Sequence, residues 1–131
     1  MAQITRSSTV SMDVNSGMKA HYISGLTAGS AISAGDCCYI DDQGKVLRTD
    51  SSLHTSGSIV YYAGFAPKAY ASGEACTLVG AGARFDYSSG MTPGEYLSSG
   101  STSGSLINTA FNVNDLPVAL AISSTDIQII R

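Results

Sequence analysis

Between Gly73 and Gly94 the chain sets short β-forming runs between small-residue breaks, and no other stretch restricts the fold as tightly. Cys76 to Val79 and Ala83 to Tyr87 flank a break at Gly80, Ala81 and Gly82, and Thr92-Pro93-Gly94 forms a turn directly afterwards. Ala83, Phe85 and Tyr87 alternate with Arg84 and Asp86. A pleated strand therefore sends the aromatic residues to one face and the two opposite charges to the other.

The same grammar runs through the rest of the chain. Residues 1–10 are mostly polar and read as an extended amino-terminal arm; residues 11–131 read as a single all-β domain. Val10, Met12 and Val14 alternate with polar residues, Asn15-Ser16-Gly17 is a turn signal, and Met18, Ala20 and Tyr22 resume the alternation, which predicts a hairpin. A second hairpin is predicted from Asp36 to Arg48 about the Asp41-Asp42-Gln43-Gly44 turn. Asp50 to Ser58 reads as a polar loop with one helical turn, and Ile59 to Phe65 as an apolar strand running into Pro67.

Two stretches, about 33–79 and 91–131, follow one outline: a turn holding Gly and an acid, a strand, a Gly turn, a strand, a small-residue strand and an acid-led final strand. Thr92-Pro93-Gly94-Glu95 answers Ser33-Ala34-Gly35-Asp36, and Ser124-Thr125-Asp126-Ile127 answers Ser72-Gly73-Glu74-Ala75. No segment shows helical periodicity beyond one or two turns. The expected fold is a small antiparallel β-sandwich or barrel built from two related β units, with the arm outside it.

Candidate chemistry is sparse. Catalysis by an activated Ser or Cys needs a positioned base, and the two histidines are His21, on the exposed side of the first predicted hairpin, and His54, in a polar loop. Asp36, Glu74, Glu95 and Asp126 fit turn and strand-start positions better than a glycosidase pair. Gly80, Gly82 and Arg84 lead into a strand, whereas a phosphate-cradling loop leads into a helix; a bulge or a close backbone approach at a subunit contact explains the small residues better. Cys37, Cys38 and Cys76 lack zinc-ligand spacing, and strand geometry places one of the adjacent pair in the core and the other at the surface or an interface. No catalytic, cofactor-binding or metal-ligating residues are assigned.

Charged residues are 13% of the chain, about half the usual soluble-protein share, and this weakly charged surface suits burial against other subunits. Scattered basic residues and a net charge of -3 argue against nucleic acid as a partner. No apolar run approaches the length of a membrane helix, and the first residues lack the order of a signal peptide.

Gly73 through Phe85, then Gly90-Met91-Thr92-Pro93-Gly94 and the closing Ser124-Thr125-Asp126-Ile127, resemble small capsid decoration (cement, head-stabilising) proteins of tailed bacteriophages, the likeness running from about Ser33 to the carboxyl terminus. The resemblance implies a β-rich virion protein made in the host bacterial cytoplasm and seated on the capsid exterior. Such proteins are often homotrimers, clamp neighbouring major capsid protein subunits, and lack cofactors and enzymatic residues. A dimer is the other oligomer considered. Cys37-Cys38 departs from the simple apolar strand residues expected there and leaves a reactive or interface thiol open.

On that reading Ile4 and Arg6 of the arm are assigned to the capsid, and Arg84, Asp86 and Tyr87 to the contact between subunits. Arg84 and Asp86 form either an exposed ion pair or half of a charged contact across a symmetric interface. Two other readings stand beside it: a tail or spike adaptor of the virion, and a carbohydrate-binding module stacking sugars on Tyr22, Tyr39, Tyr61, Tyr62, Tyr70, Tyr87 and Tyr96.

Overall fold

The computed structural model describes residues 4–6, 20–50, 62–99, 104–108 and 117–131. The first hairpin before Ala20, the loop at 51–58 with His54, and Ile59 to Tyr61 of the expected strand lie outside them.

Nine strands and no helix form the described residues: β1 (Tyr22–Ala28), β2 (Cys37–Ile40), β3 (Lys45–Arg48), β4 (Gly64–Phe65), β5 (Ala75–Val79), β6 (Arg84–Asp86), β7 (Tyr96–Ser98), β8 (Pro117–Ala121) and β9 (Asp126–Ile129). The first five close into a barrel in the order β1-β3-β2-β4-β5, and the last four make a sheet in the order β6-β9-β8-β7. The all-β expectation holds, with one departure from an antiparallel plan: β1 and β3 run parallel, pairing Thr27 with Lys45 and Ala28 with Val46. An odd number of strands cannot alternate direction all the way round a closed ring, so one parallel pair is unavoidable.

The two units pair strand for strand. In the barrel β5 lies between β1 and β4, and β2 between β4 and β3. In the sheet β9 lies between β6 and β8, β8 pairs with β7, and Ser98 of β7 meets Ile107 in an isolated bridge where β3 would stand. Only the first unit closes, because β3 reaches back to β1.

One turn recurs at the head of β2, β5 and β7. In Ser33–Asp36, Ala71–Glu74 and Thr92–Glu95 the third residue is Gly at φ 85, 87 and 90°, a conformation that disfavours any Cβ. The acid closes the turn by accepting the first residue's N–H on its carboxylate, at 2.7, 2.6 and 3.3 Å. Each turn then docks on a buried alanine of the neighbouring chain segment. Gly35, Gly73 and Gly94 donate to the carbonyls of Ala66, Ala28 and Ala121 at 2.8 Å, and those alanines donate back to the carbonyls of Asp36, Glu74 and Glu95 at 2.9 Å. At the head of β9 the Ser123 hydroxyl takes over, accepting from Thr125 N at 3.2 Å and Asp126 N at 3.0 Å.

Two cores result. Ala28, Ile32, Cys38, Val46, Ala66, Tyr70, Cys76 and Leu78 form one cluster, on the barrel strands and the loops between them. The second gathers Cys37, Phe65 and Val79 of the barrel strands with Phe85, Tyr87, Leu97, Val118 and Ile127 of the sheet unit, so it is the seam between the units. Tyr62, Phe65, Phe85 and Tyr87 cross this seam as a chain of edge-to-face rings, with centroids 6.0 to 6.1 Å apart. Each such pair adds about 0.5–1.5 kcal/mol beyond area burial.

Candidate functional site

The arm residues turn inward. Ile4 is 8% exposed, belongs to the seam core, and donates its N–H to Leu106 O at 2.8 Å. The Ser88 hydroxyl donates to Thr5 O, and the Arg6 guanidinium donates to the Asp36 carboxylate and, at 3.4 Å, to Ala34 O. Three consecutive residues thus cross the seam: Ile4 and Thr5 hold the second unit and Arg6 holds the first. Within the single chain, the two residues assigned to the capsid are thus an apolar side chain in the core and a guanidinium held by a buried carboxylate.

Asp36 explains why Arg6 is recruited. It closes its turn as Glu74 and Glu95 close theirs, but those two stand at the surface or partly exposed, whereas Asp36 is fully buried. A buried carboxylate needs a cation or several donors, and Ser33 N at 2.7 Å together with Arg6 supplies both. Beside this strap lies a depression of about 320 Å³ lined by Thr5, Arg6, Ser88, Ser89, Met91 and Asn108. It offers hydroxyl and amide groups, its guanidinium being engaged by Asp36.

On β6 the expected alternation is present: Ala83, Phe85 and Tyr87 are buried while Arg84 and Asp86 are exposed. Arg84 Nε lies 3.4 Å from Asp126 Oδ2 on β9, and Asp86 stands directly opposite Asp126. Arg84 therefore pairs across strands within its own chain. Tyr87, assigned to the subunit contact, lies in the core of its own chain: it is 0% exposed, its hydroxyl accepts the Leu106 N–H at 3.2 Å, and burial raises that hydroxyl's pKa.

Cys37 and Cys38 do face opposite sides of β2, yet neither reaches solvent. The strand is covered on both faces, Cys37 joining the seam core and Cys38 the barrel cluster, where one of the two was expected at the surface or an interface. Burial raises both thiols far above their ordinary pKa, the opposite of what a reactive cysteine needs. Gly80 does sit at a close backbone approach, but to its own chain: a Cβ there would lie 3.2 Å from Arg131 O. Among the described residues no three His, Cys, Asp or Glu side chains gather as a metal site.

Of the described tyrosines only Tyr22 and Tyr96 are well exposed, one on each unit, which does not make a sugar-stacking platform. Among the described residues, the large apolar side chains at the surface are instead Tyr22 (47%), Ile23 (40%), Tyr96 (53%) and Ile130 (39%). Three of these lie on the two segments that approach Gly80, the start of β1 and the residues after β9. Tyr22 pairs with Val79, His21 exchanges main-chain hydrogen bonds with Gly80 and Ala81, and the tail residue Arg131, next to Ile130, lies over Gly80. The amino-terminal half of β1 exposes both faces because β3 begins pairing only at Thr27, and the register shifts between Ile23 and Leu26, about Gly25. Sequence reading missed Ile23 and Ile130. The available signal was Ile23 following Tyr22, which puts large apolar residues on both faces of one strand.

No protein-family model matches the chain, and no curated protein matches it.

Proposed function

We propose that this is a structural virion protein that binds the outer surface of a phage capsid as a homo-oligomer and stabilises contacts between major capsid protein subunits. The observation that carries the reading is the exposure of Tyr22 and Ile23 on the two faces of the start of β1 and of Ile130 near the carboxyl terminus, on a chain with only 13% charged residues. Large apolar side chains left at the surface favour a contact role, and tyrosine supplies contact area at low entropic cost. The sequence resemblance to capsid decoration proteins supports the same role.

The mechanism is burial. A body with two apolar cores presents exposed apolar side chains to subunit junctions, and several copies bound together raise avidity without any one strong contact. Purified protein is mixed with expanded capsids that lack it, and co-sedimentation and heat resistance are measured. The expected result is saturable binding at many copies per particle with a raised disruption temperature; no binding removes the reading.

A further inference from the structure

We infer that the open edge at the start of β1 is where two copies of the chain meet, their β1 strands pairing antiparallel about Ile23. This deepens the homo-oligomeric part of the reading above and rests on it.

Tyr22 to Gly25 are all exposed, although they belong to a strand. On one edge β1 pairs with β5 from Tyr22 to Thr27; on the other, among the described residues, it meets only β3, at Thr27 and Ala28. Strand geometry says which main-chain groups are left over. His21 exchanges hydrogen bonds with Gly80 and Ala81, and Ile23 stands opposite Leu78, so the N–H and C=O of Tyr22 point away from β5, and those of Ser24 follow by the same alternation. The extra residue of the register shift is taken up beyond Ser24, at Gly25, whose φ of 78° is that of a bulge glycine.

These groups are complementary to themselves. Tyr22 and Ser24 are evenly spaced about Ile23, so a two-fold axis beside Ile23 lets Tyr22 of each copy exchange both main-chain hydrogen bonds with Ser24 of the other. A stretch of a different protein would need a matched register of its own; a second copy has it by symmetry. No like charges are brought together, since Tyr22 through Thr27 hold no charged residue. Sheet edges that stay unpaired commonly carry Lys or Pro instead.

Pairing uses the edge and leaves the faces. The two Ile23 residues would stand about 4.5 Å apart at Cα, as in any antiparallel pair between hydrogen-bonded ones. Their exposed side chains join into one apolar surface, with the two Tyr22 rings on the opposite face. A paired unit therefore offers a shell twice the apolar contact of a single chain.

The test is sedimentation and thiol trapping of the full chain. The mass expected is twice 13.5 kDa. Cys37, Cys38 and Cys76 are buried, so under mild oxidation an introduced surface thiol reports on its own position. Ile23→Cys is expected to give a covalent dimer. Ser24→Cys is not, because its two copies are offset along the strands beyond the ~7 Å Cα separation that a disulfide spans. Ser24→Pro removes an outward N–H that the chain itself does not use, and is expected to give a monomer with unchanged circular dichroism, whereas Ser24→Thr remains a dimer. A monomer at every concentration, a mass of three chains without the Ile23→Cys product, or equal trapping at both positions overturns the pairing. A monomer whose capsid binding is lost in Ser24→Pro also overturns it, and gives the edge to a strand of the shell. If capsids are bound while Ile23→Cys stays unlinked, the pairing falls and the decoration role stands; a trapped dimer that binds no capsid upholds the pairing and removes that role.

Discussion

Arg6 and Asp36, thirty residues apart in sequence, form an ion pair at the seam between the two β units, with the carboxylate wholly shielded from solvent. The pair converts an otherwise polar arm into a structural strap. It also makes the two partners unequal, since Arg6 keeps part of its side chain in water while Asp36 keeps none.

Arg6→Ala leaves the Asp36 charge buried with one main-chain donor, and removing one member of such a pair costs about 3 kcal/mol or more. Replacing both by apolar residues, Arg6→Met with Asp36→Leu, removes the stranded charge but still gives up the turn acceptor for Ser33 N. The expected order of urea midpoints is wild type, then the double variant, then Arg6→Ala. A single Arg6→Ala variant as stable as the parent would show that the ion pair contributes nothing.

Alkaline pH weakens the fold. Burial raises the Cys37 and Cys38 thiols above their ordinary values, while in the unfolded chain a thiol ionises near pH 8.5, roughly. Above that pH the unfolded state has released protons the native state still holds, so stability falls as pH rises, by up to about 1.4 kcal/mol per unit for each thiol. Below it the contribution is complete. Urea midpoints are expected to be level from pH 6 to 8 and to drop beyond about 8.5, and Cys37→Ala with Cys38→Ala flattens the drop. In native buffer a thiol reagent finds none of the buried Cys37, Cys38 and Cys76; in denaturant it finds all three.

Two glycines separate backbone strain from crowding. Gly73 stands at φ +87° with open space where a Cβ would go, so Gly73→Ala carries only the left-handed backbone penalty, about 1–2 kcal/mol. Gly104 stands at φ +71°, and its Cβ would meet the Asp36 carboxylate at 3.0 Å. Gly104→Ala therefore adds a push on the Arg6–Asp36 pair and lowers the melting temperature further. Equal losses for the two variants would mean that the carboxylate moves aside freely.

Local features were the legible ones. The Cys37–Arg48 hairpin, the acid-closed turns and the alternation at Arg84–Asp86 each declare themselves within a few residues, because turn chemistry and strand period act at short range. The docking of Ile4 and Arg6 was not legible because the carboxylate that pairs with Arg6 lies far along the chain, and a polar arm looks the same docked or free. Cys37 and Cys38 were half legible: period two set them on opposite faces correctly, but whether both faces are covered depends on a second unit packing against the barrel. β1 was hidden by Gly25, which reads as a break and instead sits within the strand where the register shifts.

Surface tyrosine and isoleucine on β1 give the contact reading its sharpest check. Tyr22→Ser with Ile23→Ser removes two exposed side chains that no described packing requires, so the melting temperature stays within the range of a surface change, about 0.5 kcal/mol. Truncating a contact anchor, by comparison, typically weakens binding by more than about 1 kcal/mol, and two together by roughly tenfold or more. Capsid co-sedimentation of the double variant is therefore expected to need about tenfold more protein for half-saturation, while Tyr96→Ser, on the other unit, leaves it unchanged. If the double variant binds as the parent does, the exposed start of β1 is not the part that meets the shell; if Tyr96→Ser alone weakens binding, the sheet unit carries the contact in its place.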